Sequence, residues 1–399
     1  MDSVDLSSYE FIQAPYDTYA SLLKEQPIYH CAEKDFYYVA SHPLVSELFT
    51  HPNLSSNRVR TLTQTLPEPF LKAIEPLTSS LSKWLLFMDP PRHTQLRKLV
   101  NASLSRKVVA ELSPKIDAIA ELLLTDITQS WEVMSQFAYP LPMLVISDLL
   151  GVPEEDQTLI KNWSANIARF LGDKTTPDDV RVVQQSIIEA TGYFRDHLKA
   201  QKAQPSSHLI QNLINFQQAD SKFEEEDLIA NLIALIFAGH ETTTNGIGNA
   251  INLLIQNANT LPDNQTLLDN IESVVEECLR FQSPVQRMGR VTTQTVEIGG
   301  IEIPANKRVL LLIGAANRDP KVFSNPDSFQ FDRADTKHLA FGYGIHHCSG
   351  AHLARIEMQI ALSHFLRKFD LKRANVSESK IKKNLGLRSF EKLIIEELK

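Results

Sequence analysis

The chain has 399 residues, of which 43% are hydrophobic and 22% charged, an ordinary globular balance that excludes disordered, collagen-like and coiled-coil proteins. Its 40 Lys and Arg against 48 Asp and Glu give a formal charge of -8, so the phosphate backbone of nucleic acid finds no overall attraction and is excluded as a partner. Three cysteines, Cys31, Cys278 and Cys348, far apart and odd in number, make no disulfide framework and fit a reducing compartment.

Residues Met1 to Tyr9 carry acids and serines but neither a basic nor an apolar stretch, so no secretory signal is expected. A short helix around Tyr16 to Lys24 precedes two strand-like runs, Ile28 to His30 and Phe36 to Val39, arranged as a hairpin. From Pro43 to about Asn257 the pattern is almost wholly helical. Asp89-Pro90-Pro91 starts a helix over Arg92 to Asn101, on which His93 and Arg97 stand four apart. Pro153 with Glu154, Glu155 and Asp156 opens another helix that ends before Leu171.

The longest helical segment runs from Glu224 to about Asn257 without a proline, on the order of 50 Å at about 1.5 Å per residue. Its apolar run from Leu228 to Gly239 is broken by Asn231 and falls short of the roughly 20 residues of a membrane span. A cytoplasmic protein is expected. Ala234, Ala238 and Thr242 share one narrow face of small residues within Ala238-Gly239-His240-Glu241-Thr242-Thr243. The Thr242 hydroxyl can bond back to the Ala238 carbonyl and bend the helix. Alone, this segment reads equally well as a helix crossing at Gly239 with polar residues facing solvent.

A further helix ends near Phe281, with Glu277 and Arg280 three apart on one face, a spacing that suits an ion pair but that surface helices also show. Arg290 to Thr293, Val296 to Ile303 and Val309 to Ile313 bring back strand character; Asn317 to Tyr343 is irregular; Ser349 to Lys368 is helical; runs around Leu385 to Leu398 are strand-like. The expected fold is mainly α with small β-sheets, one domain over residues 1–399, with β-containing parts at about 28–40, 288–313 and 385–398 and helical parts at about 43–281 and 349–368.

Phe341-Gly342-Tyr343-Gly344-Ile345-His346-His347-Cys348-Ser349-Gly350 sets a cysteine between a glycine-rich loop and a helix N-terminus. Gly342 and Gly344 open backbone conformations closed to other residues, Gly350 admits a flat group to the first turn, and the helix end favours a thiolate. A buried packing cysteine is one alternative. A zinc site from His346, His347, Cys348 and His352 is another, although no C-x-x-C pair accompanies it.

The loop fills every position of F-G-x-G-x-H-x-C-x-G, and with A-G-x-[DE]-T-T at Ala238 to Thr243 and E-x-x-R at Glu277 to Arg280 the chain resembles the cytochromes P450. The resemblance implies the P450 fold, with the long helix over a haem b whose axial ligand is Cys348. It implies that Thr242 and Glu241 deliver protons during O2 activation, that Ala238, Phe341, Gly342 and Gly350 contact the haem, and that His93, Arg97, Arg290 and His346 hold its propionates. Glu277, Arg280 and Arg333 then clamp the irregular stretch, and Leu86, Phe87, Ile233, Phe237, Val285, Met288 and Phe390 line the substrate pocket.

The implied activity is that of a soluble, bacterial-type, monomeric monooxygenase that hydroxylates or epoxidises an apolar small molecule. Its electrons come from NAD(P)H through a reductase and a separate ferredoxin or flavodoxin, for which Lys98, Arg106, Lys107, Lys337 and Arg355 are candidate docking cations. Peroxide-driven oxidation or oxidative coupling on the same haem, and a non-catalytic haem sensor, are the alternatives. The Glu241 and Thr242 pair argues against both. Cys31, Cys278 and His240 receive no role beyond packing.

Overall fold

The computed structural model describes residues 5–60, 67–125, 127, 130–171, 176–219 and 223–397. Residues 1–4 of the N-terminal segment and Leu398 of the C-terminal strand run lie outside the described residues. In chain order the principal elements are α1 (Pro15–Glu25), β1 (Ile28–Cys31), β2 (Phe36–Val39), α2 (His42–Thr50), β3 (Leu54–Ser55), α3 (Arg92–Ser103), α4 (Arg106–Leu124) and β4 (Ser130–Glu132). There follow α5 (Gln157–Phe170), α6 (Pro177–Ala203), α7 (Glu225–Gln256) and α8 (Ile271–Phe281). The chain ends with β5 (Met288–Thr292), β6 (Val296–Ile298), β7 (Ile301–Ile303), β8 (Arg308–Leu311), α9 (Ala351–Lys368), β9 (Ala374–Ile381) and β10 (Phe390–Glu397).

The chain divides into two compact units. One comprises residues up to Leu54, Glu111–Pro142 and Thr242 onward. Its five-stranded sheet has the order β1-β2-β8-β5-β3; β2 and β8 run parallel, while β1 is antiparallel to β2 and β5 to β8. The apolar alternation of β2 and β8 buries Val39, Val309 and Leu311 against Val45 and Leu48 of α2, each contributing roughly 1.5–3 kcal/mol. A second sheet has the order β4-β10-β9. The almost wholly helical stretch expected from Pro43 to Asn257 is interrupted by β3 and β4, strands too short to show alternation. Trp131 fastens β4, its ring stacked on Phe369 with centroids 5.3 Å apart.

The other unit comprises Ser55–Ala110 and Met143–Glu241. Its α5 and α6 pack through the Trp163 indole N–H donating to Glu189 at 3.0 Å and the Asn166 amide donating to Ser186 Oγ at 2.9 Å. Thr176 and Asp179 close a capping box at the start of α6, each side chain bonded to the other's backbone N–H, with proline in the first turn. Helix α7 starts on Glu225, Glu226 and Asp227, acids that suit its positive end. It runs through Glu241 in this unit to Thr242 in the other.

Candidate functional site

In the first unit the cysteine loop is set by its own backbone. The Gly342 N–H donates to Leu339 O and the Cys348 N–H to Phe341 O, both at 2.8 Å, and the His347 N–H to Gly344 O at 3.0 Å. Gly342 and Gly344 take φ of 70° and 72°, the left-handed region that a side chain resists. At Gly344 a Cβ would also stand 2.5 Å from Thr50 Cγ2 of α2. Cys348 ends the loop with its thiol exposed, and α9 follows three residues later. A Cβ on Gly350 would meet nothing nearer than Cys348 Sγ, at 4.0 Å.

Behind the loop, Glu277 and Arg280 of α8 form a two-pronged pair, Nε to Oε2 and Nη2 to Oε1, both at 2.7 Å. Arg333 Nε adds a bond to Glu277 Oε2 at 3.2 Å, and the Gln330 N–H donates to Oε1 at 2.8 Å. The side chains are 3%, 1% and 4% exposed for Glu277, Arg280 and Arg333, so these charges are stable only because they are paired. Arg280 also donates to the carbonyls of Asn317 and Pro326, and Arg333 to those of Asn325 and Ser328. Asn317 accepts the Leu339 N–H at 2.6 Å, which ties the irregular stretch to the base of the cysteine loop.

Glu276, one residue earlier, was not foreseen. Arg355 of α9 donates to it through Nε at 2.6 Å and Nη2 at 2.9 Å, and His338 Nε2 lies 3.1 Å away. Burial raises this carboxyl, but the bonds from His338 and Arg355 outweigh it and hold Glu276 down at about 2. Arg355 lies over the Phe341 ring at 4.3 Å. Arg355, expected among the docking cations, is thus paired with Glu276 beside the loop. Partners 79 residues apart leave no trace in local spacing.

Arg290 of β5 is 3% exposed; its Nη1 donates to Gly289 O at 2.9 Å and its guanidinium lies 5.3 Å from the Phe49 ring centroid. His346 is half-buried. Among the pocket candidates, Val285 and Met288 pack partly buried against the five-stranded sheet and Phe390 is buried at the start of β10. Cys278 is buried, which pushes its thiol up.

In the second unit α7 buries Ile233, Phe237, His240 and Glu241 but leaves Ala238 exposed, with Ala234 half-buried; Thr242, the next residue of the helix, is half-buried. The small-residue face is thus the accessible one. His240, given no role from the sequence, is fully buried with Nδ1 3.1 Å from Ser164 Oγ of α5. His93 of α3 is 1% exposed; burial first, and the Arg97 charge second, hold its imidazole below the usual range. Leu86 is half-buried and Phe87 buried in a turn of 3-10 helix, Leu85–Phe87.

Among the described residues no group of three or more His, Cys, Asp and Glu side chains could hold a metal ion, and no helix is long and apolar enough to cross a membrane. Residues 132–394 match the family model described as "Cytochrome P450". The "Biotin biosynthesis cytochrome P450" of Bacillus subtilis (strain 168) is 32% identical over 391 residues, covering 97% of each chain. The "Vitamin D(3) 25-hydroxylase" of Pseudonocardia autotrophica is 36% identical over 368 residues, 90% of this chain and 87% of that one. A solved structure of P450BioI in complex with acyl carrier protein ligated to hexadec-9Z-enoic acid superposes with a TM-score of 0.90 at 31% identity, covering 99% of this chain and 100% of that one.

Proposed function

From the premise that the chain belongs to the cytochrome P450 family and is a P450 monooxygenase, we propose that it hydroxylates or epoxidises an extended apolar molecule of fatty-acyl or steroid type over a haem b ligated by Cys348. The observation that carries this reading is the exposed thiol at the end of a loop whose two left-handed glycines and backbone bonds present it.

The donor set fits haem. Cys348 is the exposed cysteine, whereas Cys278 is buried with its thiol pushed up, and Gly350 leaves room beside the sulfur for a flat group. Arg290, Arg97 and His346 supply cations or hydrogen-bond donors for propionates, and His93, kept neutral by burial and by Arg97, supplies a donor without adding charge. Bound there, haem supplies O2 activation with electrons from a reductant.

The chain's own residues do the rest. Ala238 keeps the helix face flat and open, Phe341 backs the loop beneath the Arg355 guanidinium, and the Glu277 clamp fixes the stretch that carries the loop. Thr242 holds a proton at its hydroxyl beside the open face, and Glu241 replenishes it from a buried carboxyl. Leu86, Phe87, Ile233, Phe237, Val285, Met288 and Phe390 contact the substrate through apolar surface. The substrate class is supported by relatives whose names and titles concern a fatty acyl chain and vitamin D(3). A ferredoxin or flavodoxin with its NAD(P)H-dependent reductase delivers electrons to a cytoplasmic monomer in which both compact units work as one domain.

The test is the carbon monoxide spectrum of the reduced protein. A strongly red-shifted Soret band, lost in Cys348→Ser, is the expected result. A spectrum typical of histidine-ligated haem, or a band that survives in Cys348→Ser, overturns the reading.

A further inference from the structure

Asn231 is the polar residue that breaks the apolar run of α7, and the P450 motifs assign it nothing. It is 3% exposed, where an unbonded amide costs about 1–3 kcal/mol. Its bonds are fully accounted for. Oδ1 accepts the Leu85 N–H at 3.0 Å, and Nδ2 donates to the carbonyls of Lys83 and Asp227, both at 2.8 Å. The side chain therefore grips the backbone on both sides of Trp84, with one acceptor and two donors all engaged. These partners fix the orientation of the amide, since a flipped one would face an N–H with a donor and two carbonyls with an acceptor.

The gripped segment leads into the turn Leu85–Phe87. Trp84 stacks on Phe87 with centroids 6.1 Å apart and meets Phe237 of α7 at 6.3 Å, so the amide and the aromatic contacts hold the same few residues against the same helix. One turn earlier on α7, the fully buried Asp227 pairs with Arg92 at the start of α3 and accepts the Glu224 N–H at 3.0 Å. At the same bend Asp89 accepts from the Ser55 hydroxyl and, at 2.9 Å, from the Ser56 N–H. Residues 83–92 are thus fastened to α7 at both ends, with Leu86 and Phe87 between the fastenings.

We infer that Asn231 is a positioning residue for substrate selection: it sets the height and orientation of Leu86 and Phe87 by holding Lys83 and Leu85, and touches no substrate itself. This rests on the proposed substrate role of Leu86 and Phe87. The alternative, an amide serving only the stability of α7, predicts no particular effect of the substitution on Leu86 and Phe87.

The test compares the haem-loaded protein with Asn231→Leu and Asn231→Asp. Leucine keeps the volume and prolongs the apolar run; aspartate keeps an acceptor for the Leu85 N–H. Hydrogen exchange should accelerate roughly tenfold at the Leu85 amide in Asn231→Leu and less in Asn231→Asp, which keeps the acceptor for that N–H but sets its other oxygen against the Lys83 and Asp227 carbonyls. Two iron-binding probes then separate positioning from general damage. 4-Phenylimidazole, bulky enough to meet Leu86 and Phe87, should bind Asn231→Leu about tenfold more weakly, while imidazole itself binds both proteins alike. Unchanged exchange at Leu85, or equal weakening of both azoles, overturns the inference. Exchange is read without any haem signal, so protein that failed to bind haem would refute the proposed haem site while still deciding whether Asn231 holds Leu85.

Discussion

Glu277→Ala tests whether the buried charge cluster behind the cysteine loop carries the stability of that region. The carboxylate accepts four hydrogen bonds, two from Arg280, one from Arg333 and one from the Gln330 N–H. Its removal strands two guanidinium groups with little exposure, and breaking a buried pair from one side costs about 3–5 kcal/mol. Set against a typical total of about 5–15 kcal/mol, that is at least about a fifth of the stability. Arg333→Met removes the 3.2 Å contact to Glu277 and the bonds to the Asn325 and Ser328 carbonyls but leaves the two-pronged pair intact, so its cost should stay below that of Glu277→Ala. Urea denaturation followed by circular dichroism, with haem content measured in parallel, gives both values. If Glu277→Ala unfolds at the wild-type midpoint, or Arg333→Met costs as much, the pairing argument is wrong.

Glu357 of α9 is 2% exposed, and burial raises its carboxyl to about 8. The unfolded chain releases this proton near 4.5 and the folded chain near 8, so stability from this group is present below 4.5 and lost as pH rises to 8. By pH 7 the loss reaches about 3 kcal/mol at 1.36 kcal/mol per unit. Glu357→Gln should flatten the decline measured by urea unfolding between pH 5 and pH 8; a slope equal to that of wild type contradicts the assignment. With palmitic acid as probe substrate, Thr242→Ala is expected to lower product formation about a hundredfold while NAD(P)H consumption continues, read as the ratio of product to cofactor consumed; an unchanged ratio removes Thr242 from proton delivery. Reversing Lys98 and Lys107 to Glu should slow reduction by an acidic ferredoxin more at low salt than at high salt, and stopped-flow rates equal at every salt concentration would dismiss the docking role.

The long helix and the cysteine loop were legible because each rests on local chemistry: a helical run without proline over Glu225–Gln256, and glycines at the two positions where φ is positive. Strand β9 was not. Its sequence Ala-Asn-Val-Ser-Glu-Ser-Lys-Ile is largely polar and exposed, and what makes it a strand is the backbone of β10 opposite, from Phe390 to Glu397. The E-x-x-R spacing announced a pair, but only folding reveals the burial that makes it costly to break. Glu276 with Arg355, and Ser164 with His240, lay beyond reading for the same reason. Each partner sits on a different helix, and each was ordinary in its own neighbourhood.

The interleaving of the two units sets an order on synthesis. Residues 55–110 and 143–241 complete one unit by Glu241, so it can close while the ribosome is still making α8. The hairpin β1 and β2 emerges first yet waits longest: Phe36 pairs with Arg308, 272 positions later (308 − 36). Until then the outer edge of β2 is open, a template for pairing with other nascent chains. Strand β4 waits nearly as long, Glu132 for Ile394, 262 positions later (394 − 132). A chain that stops before β10 therefore loses more than that strand, because both β4 and β9 are left without the partner that joins them.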